Sequence, residues 1–265
     1  MRHVSNTEIF ARLSGLGTQF LVYQMTFASD GPNAMVLPLP VRSVVRFLNF
    51  ASYPRFFDDM RRGFPTGHAG MGGGGMGGVG GGMALPQTLP VESVGEFVAS
   101  FVPRIADFDR LDSRFVLPKT VWEALPAYQD WGFAVFQLRT PSKAKARVHP
   151  MALEFDTRHP GTLFFPTLHI HDGAVHLEED YDHMLYFQEP ALRGKLVSLP
   201  DRSRHDSDGT LRTQRETLPV SSKQSAERFV AVPRTQGVVV SREPIQRVAI
   251  SGHVKNQDIF MPRIR

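Results

Sequence analysis

Short apolar runs broken by turn residues set the pattern of this chain. Gln19 to Ala28 combines aromatic and β-branched residues without a breaker and reads as a strand. Ser29-Asp30-Gly31-Pro32-Asn33 has turn composition and Ala34 to Leu37 resumes as a second strand, so a first hairpin is expected. Pro38 and Pro40 cannot donate to a ladder, which places that strand at a sheet edge. From Val41 the period changes. Val44, Val45, Leu48, Phe56, Phe57 and Met60 fall at spacings of three and four, Pro54 suits a first helical turn, and a helical excursion around 41–62 is predicted. Gly95–Val102, Gly132–Leu138, Pro150–Phe155, Thr162–Pro166 and Met184–Phe187 read as strands, and Lys119–Leu125 as a short helix stopped by Pro126. Gly194–Thr217 is polar enough for a linker, with short strands expected at 228–232, 237–240 and 247–250.

The sharpest local signal is Thr167 to Glu178, two alternating runs around Asp172-Gly173, a dipeptide suited to a two-residue hairpin turn. That turn sets His169 opposite His176 and Ile170 opposite Val175. Leu168, Ile170, Val175 and Leu177 then share one face, and Thr167, His169, His171, His176 and Glu178 the other. Opposed Cβ atoms in such a pair lie roughly 4.5–5.5 Å apart.

Many short strands and few helices argue for a mainly β, β-rich α+β fold, an antiparallel sandwich or barrel carrying the 41–62 excursion. Residues 67–83 form a Gly-rich loop, 11 of 17 being Gly. It has no Lys, Ser or Thr with which to build a phosphate loop. The absence of cysteine removes disulfides, thiolate metal sites and cysteine nucleophiles. No secretory signal or membrane-length apolar run is visible, so a cytoplasmic protein without a membrane partner is expected. Residues 191–265 carry 14 Lys and Arg against seven Asp and Glu, whereas residues 1–190 carry 16 against 19. That step predicts a β-rich core domain over 1–190 and a basic C-terminal segment over 191–265.

Four of the ten histidines lie between 169 and 183. Three imidazoles with a carboxylate suit a divalent metal such as zinc, iron, manganese or nickel. On the hairpin, His169, His171 and His176 would be the nitrogen ligands, and Glu178 either a fourth ligand or a general base on bound water. His169-Ile170-His171 resembles the His-x-His element of cupin barrels, which implies a metal-dependent enzyme. In that motif a Glu follows the second His by four or five residues, whereas position 176 here is a third His. Two readings follow. The favoured one is a soluble β-rich binding or structural protein without a complete catalytic motif. It would meet a protein partner, or a second copy of itself, through the basic C-terminal segment, with nucleic acid the less favoured partner. The alternative is the cupin-like three-histidine enzyme.

Overall fold

The computed structural model describes residues 3–28, 33–65, 89, 91–111, 119–138, 146–170, 175–201 and 215–263, apart from Leu16, Glu96 and Ala124. The Gly-rich stretch 67–83 lies outside the described residues, as do His171 and the Asp172-Gly173 turn. The chain is mainly β, built from several sheets that do not close into a barrel. The large sheet runs in the order β14 (Val220–Ser221), β15 (Gln246–Lys255), β11 (Glu178–Phe187), β1 (His3–Leu13), β2 (Thr18–Ala28), β9 (Met151–Thr157), β4 (Val41–Leu48), with β8 (Ala146–Arg147) pairing the end of β2. Among the described residues only β1 and β11 run parallel. A second sheet has the order β3 (Asn33–Leu39), β7 (Gly132–Leu138), β6 (Phe97–Val102), β5 (Val91–Val94). Two short pairs complete the strands, β10 (Thr162–Phe165) with β16 (Ile259–Pro262) and β12 (Val197–Leu199) with β13 (Arg215–Thr217). No helix among the described residues is long and apolar enough to cross a membrane.

Strand β2 is buried at consecutive positions from Gln19 to Met25, with Phe20–Tyr23 an apolar run, because it is covered on both faces. Its Leu21, Tyr23, Met25 and Phe27 point into the core between the two sheets, together with Ile9 and Ala11 of β1, Leu185 and Phe187 of β11 and Phe136 of β7. Phe20 and Val22 point the other way, onto α1 (Phe56–Arg62) and the turns near Ala226 and Val238. The outer face of the second sheet is closed by α2 (Lys119–Glu123), through Val121 and Trp122 against Phe108 and Phe133. The molecule is thus layered: α1 and turns, large sheet, small sheet, α2.

Three expectations need correction. The 41–62 excursion is half strand: Val41–Leu48 is β4, paired with β9, and only Phe56–Arg62 is helical. The β4 register slips between Val41 and Val45, where the Asp156 carboxylate accepts the N–H groups of Ser43 and Val44 and the Ser43 hydroxyl. The extra residues break the alternation of two and leave apolar spacings that imitate a helix. The first hairpin does not form, because both edges of β2 are taken by β1 and β9, and β3 instead crosses to the second sheet and pairs β7. As expected from its prolines, β3 is an edge strand. Finally, 228–232 and 237–240 are not strands. The chain makes 3-10 turns at Ala226–Arg228 and Val232–Thr235, then left-handed residues at Gln236 and Gly237, which seat Val238 and Val239 as a buried plug.

Candidate functional site

Residues 166–170 and 175–177 cross the open side of the fold without forming a ladder, held in place by the segment Asn256-Gln257-Asp258 that precedes β16. Asp258 Oδ1 accepts the N–H groups of Thr167 at 2.7 Å and Leu168 at 2.8 Å, and its Oδ2 accepts the Tyr128 hydroxyl at 2.7 Å. Burial pushes this carboxyl up to about 6, against the pull of those three donors. Asn256 works as an adhesive amide. Its Oδ1 accepts the His169 N–H at 2.8 Å, while its Nδ2 donates to the carbonyls of His169 at 2.8 Å and His176 at 3.1 Å. The two arms expected to pair directly therefore approach at the expected positions, 169 and 176, but a side chain joins them.

The sequence-predicted site residues that the structure describes differ in their surroundings. His169 is buried, its ring stacked on Tyr181 with centroids 4.6 Å apart and its Nε2 2.9 Å from Nε2 of His183, so that one ring donates to the other. His176 is exposed. Glu178 is half-buried, with Oε2 3.4 Å from Nε2 of His253 on the neighbouring strand. His171 lies outside the described residues. Among the described residues no three His, Asp or Glu side chains are grouped to hold a metal ion. His183, by sequence a reserve ligand or supporting partner of this set, is the ring that His169 meets. Asn256 and Asp258, 87 and 90 residues downstream of the His169 and Leu168 N–H groups they hold, give no motif that could have found them.

Beside His169 lies a cavity of about 100 Å³ between β3 and residues 166–170. A second, larger hollow of about 370 Å³ flanks β15 and is bordered by Leu199, Arg215, Thr217, Leu218 and Val220. Strand β15 pairs β11 along its whole length, but on its other side, among the described residues, only Gln246 and Arg247 are paired, with β14. The Ile245 carbonyl accepts the Ser222 N–H on that side and the Asn256 N–H donates to Leu177 on the β11 side. Backbone groups alternate along a strand, so Ala249, Ser251, His253 and Lys255 direct theirs to the open side.

No protein-family model matches this chain, and no curated protein matches it. Among solved structures, it is similar to baculovirus P35, at 15% identity over 99% of this chain and 97% of that chain with a TM-score of 0.45. A mutated baculovirus P35 after caspase cleavage, at 2.7 Å resolution, matches at 14% identity over 98% of this chain and all of that chain, also with a TM-score of 0.45. P35 in its complex with caspase-8 matches at 13% identity over 98% and 97% of the two chains, with a TM-score of 0.42. Superpositions this loose do not carry an activity from one chain to the other.

Proposed function

We propose that this is a protein-binding module that takes an extended, acidic peptide segment of a partner along the open edge of β15. The observation that supports this reading is the contrast between β15 and the other edges. Unprotected edges are usually blunted by proline, charge, irregularity or shortness. Among the described residues, β3 carries Pro38, β5 has four residues, and β4 carries exposed Arg42 and Arg46 with its register slip. Residues 248–255 have only Lys255 at the far end and a left-handed Gly252 as interruption. Alongside, Leu218 and Val220 stand 57% and 56% exposed at the rim of the hollow. Strand addition uses such a pair of features, backbone groups for affinity and side pockets for alternate residues.

Charge favours an acidic occupant. The hollow is bordered by Arg215 and Arg247 against Asp201, within the quarter of the chain that carries the basic excess. A second copy is a poorer occupant, because pairing two β15 strands about Ser251 opposes Arg247 to Lys255 twice, and directly opposed like charges destabilise a sheet. The test is fluorescence anisotropy with a labelled Val-Glu repeat decapeptide, its Val-Lys counterpart, and an Arg215→Glu/Leu218→Asp variant, both positions being exposed. The Val-Glu peptide is expected to bind, to weaken with added salt, and to bind the variant at least tenfold less tightly. No binding of the Val-Glu peptide, equal binding of Val-Lys, or an unaffected variant would overturn the reading.

A further inference from the structure

The cavity beside His169 is not used by the edge of β15, and its walls specify their own guest. Met35 and Val36 of β3, Trp122, Leu125, Phe133 and Ile170 contribute apolar surface. No Asp, Glu, Lys or Arg borders it among the described residues. Two of its polar wall residues are already engaged: the Tyr128 hydroxyl donates to Asp258, and Nε2 of His169 is shared with His183. A third, Tyr23, is a phenol held in its neutral form by burial. Among the described residues no charged side chain in this wall compensates the desolvation of an ion, and burying an unpaired polar group is costly. Apolar cavities, in contrast, stay dry and accept apolar guests; benzene occupies one of about 150 Å³, so in this one, smaller at about 100 Å³ and partly open, a ring would fill the interior and reach the mouth.

We propose that this cavity is a binding site for a small uncharged apolar molecule, one six-membered ring being the upper limit of size. The roof is residues 166–170, fixed by Asp258 and Asn256. The side facing it is β3, whose one ladder partner among the described residues is β7. A guest therefore joins the edge of the second sheet to the histidine-bearing segment through dispersion and excluded water rather than hydrogen bonds.

The experiment uses the full chain with ¹³C-methyl-labelled methionine and benzene as the probe. Met35 lines the cavity, so its methyl resonance is expected to shift on titration while the buried Met151 and Met261, outside the wall, stay in place. Saturating benzene at ten times its dissociation constant is expected to raise the melting midpoint by about 3 °C. Ala34→Leu, which fills the cavity from β3, is expected to remove both responses. Pyridine has the same size but a lone pair needing a donor, and it is expected to bind at least tenfold more weakly. A Met35 methyl unmoved up to the solubility limit of benzene would overturn the proposal. So would an undiminished response in Ala34→Leu, or pyridine binding as tightly as benzene.

Discussion

Asp258 shows how one side chain can govern a segment far from it in sequence. Its carboxyl is raised to about 6 chiefly by burial, so the folded chain holds this proton more tightly than the unfolded chain does. The sign follows: its contribution is full below about pH 4 and is lost as pH rises through about 6. Asp258→Asn keeps an acceptor for Thr167 and Leu168 and lets the Tyr128 hydroxyl turn to meet an amide, without the buried charge. The variant is expected to gain on the wild type between pH 4 and 6 and to stay ahead above pH 6, by up to about 3 kcal/mol. Urea unfolding of both proteins at pH 4, 5, 6 and 8 checks this, and a difference that does not change with pH would refute it. Asp156 titrates in the opposite sense: burial would raise it, but the donors at Ser43 and Val44 outweigh that, so its contribution is lost on acidification. The histidines were legible as a cluster but not in their roles. His169 is buried with its Nε2 against His183 and its face on Tyr181, whereas His176 is exposed. Elemental analysis tests the metal reading of His169, His171, His176 and Glu178. Zinc, iron, manganese or nickel near one per chain, lost in a His169→Ala/His176→Ala variant, would support it, and protein that stays metal-free after incubation with each ion would overturn it.

At the scale of elements, the strands with a clean period were readable and those with a bulge were not. β2, β6, β7, β9 and β10 coincide with apolar runs bounded by breakers. β4 was masked by its register slip, and β1 by a second one between Ser5 and Glu8, where Asn6 adopts φ of 53° and Asp182 accepts its N–H. Both slips are closed by a carboxylate from another strand, a partnership that no local window contains. The tight β5–β6 hairpin depends on Gly95, at φ of 62°, where an added Cβ would lie 2.5 Å from Nε2 of His149 and 2.8 Å from Cβ of Ala51. His149 is itself packed on Phe97, ring centroids 4.6 Å apart, so it has little room to move. Gly95→Ala is therefore expected to destabilise the protein by about 1–3 kcal/mol through strain and overpacking together. A denaturation midpoint equal to that of the wild type would show that the hairpin relaxes freely.

For the whole molecule, the charge step near residue 190 and the pattern of pairing make different demands. Charge alone expects a core over 1–190 with a basic segment after it. Pairing carries the chain back inside: β15 lies against β11 over ten residues, and β16 completes β10. Val248, Ile250, Val254, Ile259 and Met261 belong to the same apolar core as Leu21 and Phe187. Removing them deletes five buried side chains of the kind worth about 1.5–3 kcal/mol each, a loss comparable to the whole stability of an ordinary domain. It also strips Asn256 and Asp258 from residues 166–177 and leaves β11 as a bare edge. A chain ended at residue 190 is accordingly expected to be insoluble or to lack a cooperative thermal transition, while the full chain melts in one. If the shortened chain stayed monomeric with a sharp transition, residues 191–265 would be a separable segment and the open edge of β15 would belong to an appendage. If it fails to fold, the basic quarter both completes the core and presents the edge proposed to receive a partner, so binding at β15 would be felt directly by the central strands.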